Sequence, residues 1–474
     1  MDLASPPVEI PAEQLAALLA RLRAGAAETS SYAWRVDSLN RLESLLRDNL
    51  ADIAKAIDQD FSGRSAQETQ LLEFFPCMKA IQHARSHLRS WMRPRRSLAS
   101  LWFMPASTEI RPQPLGVVGI IVPWNYPILL AVEPLVGALA AGNHAMVKMS
   151  ELTPRTGDLF ATLIAKYFPR GEVAVVNGGP ETGKTFAALP FDHLLFTGST
   201  SVGRQVMKSA AENLTPVTLE LGGKSPAIVG DDFPIGLAAE RILFGKCLNA
   251  GQTCIAPDYL LIPRGKETAF ADAARATVAR LYPTLKNNPD YSAIVNERHH
   301  QRLTGYLDEA RARGAKLEPL NPANEDLSGT RKLVPTLVFD ADASLRVMQD
   351  EIFGPILPVV SYATLDDAIR YVNARPRPLA LYVFSHDGTT VDEVLDRTIA
   401  GGVSVNETIM HVSQDHLPFG GVGSSGMGHY HGKFSFDTFS KLKPVFRQSR
   451  LNGLKLFHPP FGKRFQSLIK LLTR

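Results

Sequence analysis

Apolar residues recur at helical spacing from residue 11 to about 62, at Leu15, Leu18, Leu19 and Leu22 and again at Leu39, Leu42, Leu45 and Leu46, which predicts a helical opening. Beyond it the period changes. Short apolar runs at 117–122, 145–148, 173–176, 193–197, 217–221 and 227–229 alternate with helical patterns, so these strands are expected to pair in parallel in a doubly wound α/β sheet. A second alternating region runs from about 224 to 418, with strands expected at 259–262, 293–295, 333–338, 356–361, 380–384 and 402–406. The longest apolar stretch, 115–142, is interrupted at Pro123, Asn125, Pro127, Glu133 and Pro134, whereas a membrane span needs about 20 apolar residues in a row. It reads instead as a buried strand at 117–122, a turn at 123–127 and a helix at 128–141.

The tail beyond Pro459 places Phe465, Leu468, Ile469 and Leu472 at helical spacing among Lys463, Arg464, Lys470 and Arg474. This predicts a short basic amphipathic helix. It would dock on its own chain or a partner subunit, or rest weakly on a membrane surface. No internal repeat or low-complexity segment interrupts the pattern.

A chain of 474 residues carries a prior of about 2–3 domains and room for a large cleft. The 51 basic and 47 acidic side chains leave a net charge of +4, spread along the chain, which argues against a nucleic-acid partner. Three cysteines, Cys77, Cys247 and Cys254, form neither a disulfide framework nor a zinc spacing. A reducing, cytoplasmic location is therefore expected, and residues 1–14 lack the basic-then-apolar layout of an export signal.

Three segments carry candidate chemistry. In the first, an expected strand at 193–197 is followed by a turn at Gly198 and a helix that takes Ser199, Thr200, Ser201, Val202 and Gly203 into its first turn, where unpaired amides can meet a phosphate. The spacing is not G-x-G-x-x-G, so Gly198 also reads as an ordinary strand-ending glycine. In the second, Glu220 interrupts the apolar run 217–221 just before Gly222 and Gly223. Burial would raise its pKa toward that of a general base, while an ion pair with Lys224 is the competing explanation. In the third, Cys254 closes Gly251-Gln252-Thr253-Cys254 on a connection between elements, whereas Cys77 and Cys247 read as small buried hydrophobes.

Pro123-Trp124-Asn125-Tyr126-Pro127, Lys148-Met149-Ser150-Glu151, Phe196-Thr197-Gly198-Ser199-Thr200, Leu219-Glu220-Leu221-Gly222-Gly223-Lys224, Gly251-Gln252-Thr253-Cys254 and Glu351-Ile352-Phe353-Gly354-Pro355 occur in that order. Together they resemble the aldehyde dehydrogenase superfamily, as does the 34-residue separation of Glu220 from Cys254. The stretch from Pro418 to Gly428 and that from Tyr430 to Phe439 resemble the class-3 and fatty-aldehyde branch, in particular the bacterial coniferyl aldehyde dehydrogenases. The tail lacks the spanning segment of that branch's membrane-anchored members.

The resemblance implies a Rossmann-type parallel-sheet cofactor domain at 1–96 and 116–223, an α/β catalytic domain at 224–418, a bridging and oligomerisation element at 97–115 and 419–445, and a tail at 446–474. It implies Cys254 as nucleophile, Glu220 as base and Asn125 as an oxyanion donor beside the Cys254 amide. Lys148 and Glu151 would hold the adenosine ribose, residues 198–203 the pyrophosphate, and Glu351 with Phe353 the nicotinamide ribose. Glu151 repels a 2′-phosphate, so NAD is expected over NADP, with NADP possible. Trp124 and Tyr126 are candidates for the walls of an aldehyde tunnel.

The expected function is oxidation of an aldehyde to a carboxylate through a Cys254 thiohemiacetal and thioester, on an aromatic aldehyde such as coniferaldehyde or on a medium- or long-chain fatty aldehyde, by a homodimer. An acylating enzyme that passes the thioester to coenzyme A is disfavoured by Glu220. A thiol hydrolase would need no nicotinamide cofactor, and a silent structural or membrane-associated protein would not retain Cys254, Glu220 and Asn125 together. His411, His416, His429 and His431 match no strong metal spacing and read as ordinary hydrogen-bonded histidines. No metal is expected.

Overall fold

The computed structural model describes residues 8–26, 31–168 and 171–473. The start of the N-terminal reading, residues 1–7, and Arg474 of the tail lie outside the described residues.

The helical opening is three amphipathic helices, Ala12–Ala26, Tyr32–Asp48 and Leu50–Phe61, each burying its leucine, isoleucine or phenylalanine stripe. Two of their ends are encoded locally. Ser31 caps the second helix by accepting from the Trp34 amide, and Ser62 ends the third in a left-handed conformation.

Six strands form the first sheet, in the spatial order Gly426–Met427, Val217–Leu221, His193–Gly198, Val117–Ile121, His144–Lys148, Val173–Val176. All are parallel except Gly426–Met427, which pairs antiparallel with Glu220 and Leu219. The strand Val117–Ile121 is central. The chain moves outward from it to one side and then returns to build the other, a reversal that leaves a crevice at the carboxyl ends of the strands.

The second sheet has seven strands, in the order Lys316–Pro319, Thr336–Phe339, Ile356–Tyr362, Tyr259–Pro263, Pro226–Val229, Ala380–Phe384, Gly402–Val405. The expected strand at 293–295 is irregular instead. Its backbone is committed elsewhere: the Ala293 amide donates to Gly63, Ile294 to Arg331, and Val295 to the Gln252 side chain. A strand at Lys316–Pro319 has no counterpart in the hydrophobic pattern, because as an antiparallel edge strand none of its residues is buried.

A third, three-stranded antiparallel sheet joins Arg95–Leu98, Ser107–Pro114 and Ser440–Arg447, with most of its residues exposed or half-buried. The tail helix Lys463–Leu472 buries none of its residues fully; its apolar Phe465, Leu468 and Leu472 are half-buried, and it lies against the turn Leu454–Phe457. No described helix is long and apolar enough to cross a membrane.

Candidate active site

Asn125 lies just past the central strand Val117–Ile121, in the turn before the helix Leu129–Ala141. Lys148 ends the strand on one side, Thr197 and Gly198 end the strand on the other, and Glu220 lies opposite Thr197 in the strand beyond. The six-stranded sheet therefore delivers an amide, a cation and a carboxylate to one crevice.

Cys254 is brought to the same crevice by a loop under strain. Asn249, Ala250 and Gly251 have φ of 50°, 50° and 74°, and two of the three carry side chains. A Cβ on Gly251 would stand 2.4 Å from the Gly354 carbonyl oxygen, so glycine here lets the loop meet the segment that carries Glu351 and Phe353. Gln252 holds the turn: its amide donates to the Asn249 and Ala293 carbonyls at 2.9 and 3.0 Å, and its oxygen accepts from the Val295 amide at 2.9 Å.

A buried network that carries no motif signal fixes the loop against the Asn125 turn. Glu68 accepts from the Asn249 amide at 3.0 Å and from the Ser292 hydroxyl at 2.5 Å. Arg64 donates to the Asn125 carbonyl at 2.7 Å, pairs with Glu73 at 3.4 Å, and covers the Tyr126 ring at 4.9 Å. Glu73 in turn accepts from the Ile128 and Leu129 amides at 2.8 and 3.2 Å. Arg64, Glu68 and Glu73 are almost wholly buried, and a charge in such a place signals a positioning role. Glu68 and Glu73 lie in a helical stretch and Arg64 just before it, and charged residue types there look like a solvated face, which is why sequence reasoning passes over them.

A cavity of about 230 Å³ is lined by Asn125, Gly198, Ser199, Glu220, Cys254, Glu351 and Phe353 among others. On the other side of Cys254 lies a smaller, mostly apolar chamber of about 90 Å³. Leu130, Cys254, Phe419 and Tyr430 line both, so the thiol stands where the two spaces meet. Tyr126 lines the apolar chamber, while Trp124 lines the other cavity, 5.3 Å from Phe353 and 5.1 Å from His299. A larger surface cleft of about 1230 Å³, beside the helix Leu50–Phe61, touches none of these reacting groups.

Lys148 and Glu151 form a separate pair at 3.3 Å, and Lys148 also donates to the Met149 and Gly178 carbonyls, so it is a buried, committed cation and not a solvated one. Thr200, Ser201, Val202 and Gly203 form the first turn of the helix Thr200–Ala211, capped by the Ser199 hydroxyl, and do not line the cavity themselves. Side chains on Gly198 and Gly203 would stand 2.6 Å from Phe196 and Leu221, so both glycines are needed for close packing of the turn.

The electrostatics are those of a dry pocket. Glu220 is 2% exposed, and neither carboxylate oxygen has a partner. Burial, followed by the neighbouring Glu133, holds its pKa well above the usual carboxylate range. The expected competitor for its charge, Lys224, is engaged with Asp258. Burial also pushes Glu351 up to about 8 and the Cys254 thiol up to about 12, with Glu351 and then Glu220 adding repulsion at the thiol. Asn125 donates one amide hydrogen to the Gln252 carbonyl at 3.2 Å and keeps a second available at the cavity. The arrangement supplies a thiol, a proton acceptor kept out of water and a hydrogen-bond donor around one small space, with an exposed helix start at its rim.

The described residues fit a dinucleotide at this place. Gly198 and Ser199 lead from the cavity to the helix start, and the Thr197 hydroxyl and one oxygen of Glu351 are buried there without partners. Lys148 lies two strands from Thr197, about 10 Å across the sheet, at the same carboxyl edge.

Sequence comparison matches residues 12–445 to the aldehyde dehydrogenase family. The chain is 53% identical over 464 residues to a probable coniferyl aldehyde dehydrogenase of Pseudomonas aeruginosa, covering 97% of each chain. Its fold is similar to the substrate-bound AldH of Staphylococcus aureus, with a TM-score of 0.91, 38% identity and 98% of this chain and 100% of that one covered. An NAD-dependent aldehyde dehydrogenase of Sinorhizobium meliloti matches with a TM-score of 0.84 and 26% identity over 96% of this chain and 89% of that one. The chain therefore belongs to the aldehyde dehydrogenase family, NAD(P)-dependent oxidoreductases that act on the aldehyde group.

Proposed function

We propose that this enzyme oxidises an aromatic aldehyde such as coniferaldehyde to its carboxylate, with Cys254 as nucleophile, Glu220 as base and Asn125 as oxyanion donor. The observation that carries the reading is the position of Cys254 at the junction of two spaces, one leading to the helix start at Ser199 and the other apolar. The Cys254 thiol gives up its proton to solvent through Glu220 and attacks the aldehyde carbon as the thiolate, and the Asn125 amide with the Cys254 backbone N–H supports the oxygen as it gains charge. When bound, the nicotinamide supplies the acceptor for the hydride lost by that carbon. The product on the protein is a thioester, and Glu220 takes a proton from the water that hydrolyses it.

Gly198, Ser199, Thr200, Ser201, Val202 and Gly203 would cradle the pyrophosphate, with Glu351 and Phe353 at the nicotinamide ribose. Lys148 and Glu151 would meet the adenosine ribose, where the Glu151 carboxylate favours NAD over NADP. The domains are proposed at 1–96 with 116–223, at 224–418, and at 97–115 with 419–445, followed by the tail. Ser440–Arg447 is an edge strand of the three-stranded sheet, open to a second copy, which supports a homodimer. The exposed tail helix, with Lys463, Arg464 and Lys470, supports weak contact with a membrane surface by an otherwise cytoplasmic protein.

Leu71, Leu72, Leu129, Ile409 and Val412 in the apolar chamber favour a second reading, a medium- or long-chain alkyl aldehyde. The ratio of kcat/KM for coniferaldehyde to that for decanal decides between them. For the chemistry, Cys254→Ser is expected to abolish NAD reduction while retaining dinucleotide binding, and Glu220→Gln to slow steady turnover by about 100-fold or more while a burst of reduced cofactor persists. Near-normal turnover by Cys254→Ser, or a Glu220→Gln enzyme with unchanged steady rate, would remove that residue from the mechanism.

A further inference from the structure

The apolar chamber beside Cys254 contains a single carboxylate among its lining residues, that of Glu133. Leu129, Leu130 and Glu133 share a face of the helix Leu129–Ala141, and Glu133 lies one turn past Leu130, about 4.5 Å along the axis. Leu130 lines both spaces at the thiol, whereas Leu129 and Glu133 line only the chamber, from which Glu133 still acts on the charge of Glu220. Its Oε1 is 3.1 Å from Nε2 of His431, a side chain 2% exposed, although the two are not aligned as a hydrogen bond and Nε2 has no other partner among the described residues. Of the other hydroxyls that line the chamber, those of Tyr126 and Thr253 bond each other at 2.6 Å, while Tyr430 and Ser413 stand beside the carboxylate as further polar groups.

A buried carboxylate in an apolar chamber is expensive, and a pair such as Glu133 with His431 is not an efficient way to stabilise a fold when leucine would fill the same space. A chamber that received only alkyl chains would be better served by leucine at position 133. An aldehyde bearing a hydroxyl at its far end has the opposite requirement, because that hydroxyl must find an acceptor once it leaves water.

We propose that Glu133, which lies against His431, is a specificity-determining residue that accepts a hydrogen bond from a hydroxyl on the substrate, remote from its aldehyde carbon. The proposal rests on the aromatic-aldehyde reading, since a phenolic hydroxyl is the donor such a substrate carries. The chamber's apolar walls hold the ring and Glu133 selects the hydroxylated one.

The test is the ratio of kcat/KM for 4-hydroxycinnamaldehyde to that for cinnamaldehyde, in wild type, Glu133→Gln and Glu133→Leu. Chemistry at Cys254 is common to the two substrates, so the ratio cancels any influence of Glu133 on Glu220. Wild type is expected to favour the hydroxylated aldehyde by about tenfold or more, Glu133→Gln to lose several-fold of that preference, and Glu133→Leu to bring the ratio near one. If Glu133→Leu does not fold, the isosteric Glu133→Gln decides alone. Equal use of both aldehydes by wild type, or an undiminished ratio in every variant that folds, overturns the proposal. Decanal turned over ahead of both aryl aldehydes removes the aromatic reading instead, and the hydroxyl ratio still decides the role of Glu133.

Discussion

Glu220 is a carboxylate placed in a strand interior where no group meets its oxygens. Its pKa stands well above 4.5 because ionisation there forfeits water without gaining a partner. The folded chain thus keeps a proton that the unfolded chain has lost, so Glu220 supports the fold fully below about pH 4.5, and that support is lost as pH rises through the folded value. Glu220→Gln is therefore expected to raise the melting temperature by about 1–3 °C at pH 8 and to change it little at pH 4, as calorimetry would read. A fall at pH 8 would mean that the carboxylate has a stabilising partner. Thioester hydrolysis is expected to slow on acidification, as Glu220 takes up the proton that a base must lack.

The loop 248–254 places Cys254, and its shape is imposed from outside. Left-handed Asn249 and Ala250 cost about 1–2 kcal/mol each, and Glu68, Gln252 and Ser292 hold them there. Glu68→Ala leaves the Asn249 amide and the Ser292 hydroxyl without their acceptor, and is expected to lower stability by about 2–4 kcal/mol and kcat by about tenfold or more. Urea denaturation and steady-state kinetics read the two effects, and an unchanged kcat in a folded Glu68→Ala enzyme would show that the loop needs no such support. The sequence shows the Gly251–Cys254 motif on a connection, and not the left-handed Asn249 and Ala250 that shape it. The acceptor that holds it lies 181 residues earlier, in a helical stretch whose charges look solvated.

At the scale of the whole molecule, the three-stranded sheet Arg95–Leu98, Ser107–Pro114 and Ser440–Arg447 is too small and exposed to be a folding unit of its own. Pairing with a second copy would cover it. Sedimentation equilibrium is expected to return about twice the 51.8 kDa chain mass, and a single-chain mass at micromolar concentration would rule the homodimer out.

Sequence by itself determined the α/β class and a buried strand beginning at Val117, and it set out the motifs in their order, because apolar periodicity and motif spacing are local properties. Periodicity failed at 293–295 and at Lys316–Pro319, where cross-connections in one case and an edge position in the other override it. Only the tertiary structure decided that Lys224 serves Asp258 and leaves Glu220 alone, that Arg64, Glu68 and Glu73 brace the thiol loop, and that Glu133 looks into the chamber at Cys254. Each depends on which distant groups share a low-dielectric space, and that is set by how the sheets pack and not by the residues' neighbours in the chain.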